Sequence, residues 1–96
     1  TPTYPKGSEA IYMSFVVHHG NREGLECELR KRGVDTTVGY MSNCSDSPLF
    51  PEHKSDCPNA KEAFEKLLHI PVHPNLTKPD LNHLAEAVRQ ACLALL

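Results

Sequence analysis

The sequence predicts an α+β fold, a small and mainly antiparallel three-stranded sheet with helices on one face, in the element order β-α-β-α-β-α. Two observations support this prediction. First, segments in which every second residue is apolar alternate along the chain with segments whose apolar residues recur with helical period. Second, cap residues or prolines mark where the helices begin. With 96 residues the chain is long enough for one hydrophobic core, so we expect residues 1–96 to form a single domain with residues 1–9 as an irregular lead.

The composition is that of an ordinary globular protein and excludes several classes of function. Hydrophobic residues make up 40% and charged residues 23%, while the formal net charge is −2. The chain therefore has no basic field for nucleic acid, and we expect no membrane partner. Two of the four cysteines lie inside helix patterns, where a small apolar residue would serve equally well. Free thiols and a cytoplasmic location are therefore expected.

The first strand is predicted at residues 10–18 and is followed by a helix at residues 21–32. Apolar residues alternate along the strand, and one face is expected on the core, namely Ile11, Met13, Phe15 and Val17. Asn21 is a favourable N-cap for the helix, and Gly33 can take the left-handed conformation after the last turn. The helix also carries two pairs of opposite charge at i,i+4 spacing, Glu26 with Arg30 and Glu28 with Arg32.

A β-prone segment at residues 35–40 is predicted to be the second strand, with Thr36, Val38 and Tyr40 on one side. Residues 41–56 lose periodicity and are rich in serine and proline, which predicts a long loop. The second helix is expected to start near Asp56 and to run to Pro71. Its predicted buried stripe has i, i+3, i+4, i+7 spacing and comprises Ala60, Ala63, Phe64 and Leu67.

The third strand and the last helix are predicted from residue 70 onward. Ile70 and Val72 flank Pro71 as a short strand, and the missing amide proton of the proline favours a sheet edge or a strand start. Thr77 and Asp80 have the spacing of a capping box, which predicts the start of a helix that runs to the end of the chain. One face of this helix stays apolar for four turns and is expected in the core: Leu81, Leu84, Ala85, Val88, Ala91, Cys92 and Leu95.

Two reactive constellations can be weighed from their spacing, and both are weak. The best set of metal ligands is Cys44, Cys57, His69 and His73, but structural zinc sites place their cysteines about two to four residues apart, so we expect no metal site. A nucleophilic pair could form from Cys57 and His53, yet no third orienting group or oxyanion hole is marked in the sequence. We therefore assign no catalytic residue to this chain.

Three motifs in the second half of the chain are similar to the end of one enzyme family. They are Cys57-Pro58 at a helix start, Ile70-Pro71-Val72, and His73-Pro74-Asn75-Leu76-Thr77 before the last helix. Together with Arg-Gly-Val at residues 32–34, they resemble the small C-terminal domain of the DegT/DnrJ/EryC1/StrS sugar aminotransferases, which use pyridoxal phosphate. The resemblance implies the fold given above and a missing large N-terminal domain, from which the lead at residues 1–9 would come.

The resemblance also implies that the chemistry belongs to the missing domain. Family members carry the cofactor lysine and the phosphate cradle there, so pyridoxal phosphate is expected in the full-length protein and no cofactor-binding residue in this chain. The expected partners of the full-length protein are a keto sugar nucleotide, an amino-acid donor such as glutamate, and a second subunit in a homodimer. This chain would help to close the substrate cleft, docking through the sheet face opposite the helices, with some of Tyr12, Tyr40, His69 and His73.

The resemblance leaves one candidate for substrate binding. A histidine-tyrosine pair of the family appears here as Gly39-Tyr40, and Phe50 follows Pro48-Leu49 where the family has a histidine. Tyr40 is therefore the candidate, while Gly39 and Phe50 supply no imidazole. The structural alternative for Tyr40 is a tyrosine packed at a domain surface.

The same order of elements also suits functions of other classes. One is a stand-alone α+β regulatory module that binds a ligand or partner through one sheet face and has no enzymatic activity. Another is a zinc-supported domain, which chelators would unfold. An upstream coding region for a domain with a cofactor lysine would favour the aminotransferase.

Overall fold

The computed structural model describes residues 2–38 and 42–96, and these residues form an α+β arrangement of three α-helices and two strands. In chain order the elements are β1 (Phe15–His18), α1 (Arg22–Lys31), α2 (Pro58–Lys66), β2 (Leu67–Ile70) and α3 (Lys78–Ala94). Single 3-10 turns at Cys44–Asp46 and Pro51–His53 lie between α1 and α2. Within the described ranges no helix is long and apolar enough to cross a bilayer.

The described residues show two sheet strands where we predicted three. β1 and β2 pair antiparallel, with Phe15 opposite Ile70 and His18 opposite Leu67. The segment predicted as the second strand contributes a single bridge, in which His69 N–H donates to Thr37 O at 2.9 Å and Thr37 N–H donates to His69 O at 3.1 Å. Positions 39 and 40 of that segment lie outside the described residues.

Pro71 explains why the pairing with the Thr37 segment does not continue past His69 towards Asp35. Alternate residues of an antiparallel strand direct their N–H and C=O groups to the same neighbour, so position 71 would be the next to pair after His69. Proline has no amide proton to donate there. β2 therefore ends at Ile70 and is paired on both sides at His69, instead of forming the edge strand around Pro71 that the sequence predicted.

β1 is shorter than predicted because β2, the strand that pairs with it, has only four residues. Residues before Phe15 have no opposite in the ladder, and Ile11 and Met13, expected on the core, are 99% and 77% exposed. Of the four residues of the predicted inner face, Val17 packs against the buried core. Phe15 keeps 40% of its surface exposed.

α1 has the two ends that the sequence predicted. The Asn21 side chain accepts a hydrogen bond from an amide of the first turn. At the other end Gly33 has a φ of 75°, and its N–H donates to Arg30 O while Val34 N–H donates to Leu29 O, each at 3.0 Å. These two bonds form a Schellman motif that carries Val34 into the core. Both predicted i,i+4 ion pairs of α1 also form.

The core lies between α1, α3 and β2, and its buried side chains are Leu25, Leu29, Val34, Leu68, Ala87 and Ala91. α3 begins at the predicted capping box, in which Thr77 and Asp80 bond reciprocally. Its orientation differs from the prediction: Ala87, absent from the predicted face, is 4% exposed, whereas Leu81 is 52% exposed. The alanines face α1 because small side chains allow two helices to approach closely.

The prediction of a buried apolar stripe on α2 is wrong. The helix ends at Lys66 because Leu67 is already extended, with φ −78° and ψ 137°. Burial of Leu68 and Ile70 at alternate positions outweighs the helical period that suggested a longer helix. No side chain of Pro58–Lys66, a fully described range, is buried, and Phe64 is 42% exposed.

One hydrogen bond closes the long loop on itself, and another joins α2 to α1. Ser55 N–H donates to Ser45 O at 3.2 Å, which brings the two ends of the long loop side by side. Arg22, in the first turn of α1, donates from Nη1 to Phe64 O at 2.8 Å. α2 is thus joined to α1 by a hydrogen bond from the Arg22 side chain and not by a buried apolar stripe.

Candidate functional site on the open sheet face

A polar cleft of about 240 Å³ lies where the chain leaves β2. The sheet register positions it: His69 lies opposite Val16 in the ladder, so its side chain projects away from the face that buries Leu68 and Ile70. The polar side chains that line the cleft are Ser14, Asp35, Thr37, His69 and His73. The cleft therefore combines hydroxyl, imidazole and carboxylate groups on the face that the helices leave open.

A hydrogen bond between Ser14 and His69 forms the centre of the cleft. Ser14 Oγ lies 2.8 Å from His69 Nδ1, and both residues are half-buried. Ser14 directly precedes β1, and the backbone of His69 is fixed by its bridge to Thr37. This arrangement offers hydrogen-bond donors and acceptors to a hydroxylated or ionic ligand.

His73, which lines the cleft, interacts electrostatically with Asp80 at the start of α3. Hydrogen bonds from the Thr77 side chain and backbone lower the pKa of Asp80. His73, which lines the cleft, lowers the pKa of Asp80 further through its charge. The capping box and the cleft thus share one local electrostatic environment.

The structure brings together two of the four residues that were weighed as metal ligands. His69 and His73 line the same cleft, as their spacing allowed. Cys44 and Cys57 are exposed free thiols that do not line it. Among residues 2–38 and 42–96, no three histidine, cysteine or acidic side chains are grouped so that they could hold a metal ion.

Cys57 and His53, which were weighed as a nucleophilic pair, form no hydrogen bond with each other among the described contacts. His53 is 77% exposed and its Nε2 lies 3.8 Å from the Glu52 carboxylate. Cys57 is the N-cap residue of α2, and its side chain makes no capping hydrogen bond. Exposure of both groups to water leaves nothing that would activate the thiol by burial or by a fixed base.

The substrate-binding candidate Tyr40 and its neighbour Gly39 lie outside the described residues, so Tyr40 stays a prediction. Phe50, the other departure from the family pattern, is described and 53% exposed. Sequence reasoning missed Ser14, which it placed only on the outer face of a strand. Its contact with His69 spans 55 positions, and no local pattern marks such a pair.

The lysines of this chain do not fit the pyridoxal phosphate that the family resemblance implies. A lysine that reacts with a carbonyl cofactor is activated in a desolvated pocket or beside another cation. The lysines here are exposed, except for the half-buried Lys66, whose Nζ pairs with Glu62 at 2.6 Å. Lys61 lines an open cleft, but Glu65 lines it too. No residue of this chain is therefore assigned to the cofactor.

Comparison with known proteins gives a consistent result. A sequence model described as the DegT/DnrJ/EryC1/StrS aminotransferase family matches residues 1–89. The chain is similar to a UDP-2-acetamido-2-deoxy-3-oxo-D-glucuronate aminotransferase of Pseudomonas aeruginosa, with 25% identity over 88 residues, or 92% of this chain. It is also similar to a dTDP-3-amino-3,4,6-trideoxy-alpha-D-glucose transaminase of Streptomyces venezuelae, with 25% identity over 92 residues, or 93% of this chain. The chain spans 24% of the length of each relative.

Proposed function

This chain belongs to the DegT/DnrJ/EryC1/StrS aminotransferase family, and we propose that it is the small C-terminal domain of an aminotransferase that acts with pyridoxal phosphate on a keto sugar nucleotide. The observation that carries the proposal is the family match over residues 1–89, in a chain that spans 24% of its relatives' length. The names of both relatives support an amino-sugar product or a keto-sugar substrate attached to a nucleotide. The rest of the longer polypeptide would hold the catalytic machinery.

The misfit of the lysines supports a cofactor site outside this chain. Pyridoxal phosphate, when bound to the large domain, would supply the electron sink for transfer of the amino group. The contribution of this chain would be to close the substrate cleft and exclude water from it. Tyr40 would contact the sugar nucleotide, since a tyrosine can both pack against a ring and donate a hydrogen bond. The nearby bridge between Thr37 and His69 would anchor its segment to β2.

The remaining parts of the proposal concern the donor, the assembly and the compartment. We propose glutamate as the amino donor and a homodimer as the working form of the full-length protein. The thiols of the four cysteines are free, which suits a reducing compartment such as the cytoplasm.

The test is to express the full reading frame that contains this chain, next to the 96-residue chain alone. The full-length protein should show the visible absorbance of bound pyridoxal phosphate and transfer an amino group from glutamate to a keto sugar nucleotide. After borohydride reduction, peptide mass spectrometry should find the pyridoxyl group on a lysine outside this chain. A pyridoxyl group on Lys61 or on any other lysine of this chain would contradict the proposal.

The polar cleft favours a second function, a stand-alone module that binds a ligand without catalysis. Ser14 and His69 would then hold a hydroxylated ligand on the open sheet face. This function predicts a native polypeptide no longer than 96 residues. It also predicts that the isolated chain binds UDP-N-acetylglucosamine in calorimetry and that His69→Ala abolishes the binding.

A further inference from the structure

An apolar groove of about 270 Å³ lies between the first half of α3 and the end of the sheet. Six of its lining side chains are Phe15, Val72, Leu81, Leu84, Ala85 and Val88. Phe15, Val72 and Leu81 keep 40%, 39% and 52% of their surface exposed. Removal of apolar surface from water is favourable by roughly 25 cal/mol per Å², so an element that covered this groove would be stabilised there.

The residues that α3 contributes to the groove form an apolar stripe that overlaps the core face of the helix. Leu81, Leu84, Ala85 and Val88 have i, i+3, i+4, i+7 spacing. The core face of α3 is centred on Ala87 and Ala91. Leu84 and Val88 also pack against the core, whereas Leu81 and Ala85 are exposed, so the part of the stripe around these two residues is left uncovered. Ala85, in this uncovered part, would let another backbone approach closely.

The sheet shows the same incomplete covering. Val17 and Leu68 lie opposite each other and pack in the core with α1 and α3. The next pair on the same sheet face, Phe15 and Ile70, lines the groove instead. Ile70 is 5% exposed and Phe15 is 40% exposed, so the covering of this face ends across the second pair and leaves Phe15 open beside α3.

We propose that the groove holds an amphipathic helix from the part of the polypeptide that the aminotransferase relatives have beyond this chain. The inference rests on the proposed function, because it treats the chain as one domain of a longer protein. The length supports it, since the chain spans 24% of each relative. The lining supports it too, since an apolar groove with helical spacing on one wall suits an apolar helix face.

The path of the chain before β1 indicates where such a helix would arrive. The residues that precede β1 lead directly to Phe15, and the Tyr12 ring lies against the Phe15 ring with centroids 6.3 Å apart. Phe15, the first residue of β1, lines the groove, so the residues before β1 connect any preceding segment to this end of the groove. This location differs from the docking face expected from the sequence, where the structure has the polar cleft around His69.

Cysteine labelling of two matched positions tests the proposal. Leu81 and Leu93 both lie on α3 and are each 52% exposed, but only Leu81 lines the groove. Leu81→Cys and Leu93→Cys are made in the full-length protein, and the rate of modification by N-ethylmaleimide is followed by peptide mass spectrometry. The thiol of Leu81→Cys should react about tenfold or more slowly than that of Leu93→Cys, because its reaction requires the groove to open. In the isolated chain the two rates should agree within about twofold.

The outcomes separate this inference from the proposed function. Equal rates in a full-length protein that binds pyridoxal phosphate would overturn the inference alone. Slow reaction at position 81 in a protein that binds no pyridoxal phosphate would support the docked helix and overturn the proposed function. Protection that disappears on dilution would assign the groove to a second subunit and overturn the inference. A native polypeptide no longer than this chain would overturn both.

Discussion

Replacing Gly33 with alanine tests how strongly the left-handed turn after α1 holds the fold. Gly33 has a φ of 75°, and no atom lies within 4 Å of the position that a Cβ would occupy. The cost of the substitution is therefore set by the backbone, at about 1–2 kcal/mol for an L-residue in this conformation. The turn carries Val34, which is 2% exposed, into the core. The backbone cannot relax to another conformation without removing Val34 from its place.

Gly20→Ala is the matched control for this prediction. Gly20 also has no atom within 4 Å of the Cβ position, but its φ is not positive. Alanine there should change the free energy of unfolding by less than about 1 kcal/mol, in the stabilising direction, by restricting the unfolded chain. Gly33→Asn should be less destabilising than Gly33→Ala because asparagine tolerates the left-handed region.

Thermal unfolding followed by far-UV circular dichroism measures the difference. For a domain of this size about 1 kcal/mol corresponds to a change in Tm of about 4–8 °C, so Gly33→Ala should lower Tm by about 4–16 °C. A Tm for Gly33→Ala equal to that of Gly20→Ala would refute the reasoning, since the two sites differ in backbone conformation and not in the space around the new methyl group.

Three further perturbations test the core, the cap of α3 and a surface ion pair. Leu68→Ala removes a side chain with 0% exposure and should lower the free energy of unfolding, measured in urea, by about 2–5 kcal/mol. The control Leu93→Ala, on the exposed side of α3, should lower it by less than about 0.5 kcal/mol. Similar losses for the two variants would contradict the assigned core. Thr77→Ala removes the cap of α3 and should cost about 0.5–2 kcal/mol in the same assay, and an unchanged stability would argue against the capping box. Hydrogen bonds from Arg89, then from a neighbouring glutamine, lower the pKa of Glu86 from 4.5 to about 2. Because the folded pKa is the lower one, the stabilisation is present above pH 4.5 and is lost as the pH falls towards 2. Glu86→Gln should flatten this part of the Tm against pH curve, and a curve of unchanged slope would show that the pair contributes nothing.

The local signals in the sequence predicted the ends of two helices. Asn21 and Gly33 bound α1, and Thr77 with Asp80 begins α3, because caps depend on residues within a few positions of one another. The family resemblance also depended on such local motifs, and the match over residues 1–89 confirmed it.

The errors arose where residues far apart in sequence decide the outcome. Leu67 fits the helical period of α2, yet it begins β2 because Leu68 and Ile70 are buried beside β1 and α1. Among the described residues, the predicted second strand is represented by the bridge at Thr37, and Pro71, which has no amide proton, cannot extend that pairing past His69. The same limit applies to the candidate site, since the contact between Ser14 and His69 joins positions 55 residues apart.

The hydrogen bond between Ser55 and Ser45 closes the residues between them into a loop that starts and ends at nearly the same place. Changing the length of that loop alters little else, since each doubling of a flexible loop costs only about 0.6 kcal/mol in closure entropy. Insertions and deletions among homologues can accumulate there without moving α2 or the sheet. A short epitope or a fluorescent peptide placed between these two serines would report on the protein while leaving its architecture intact.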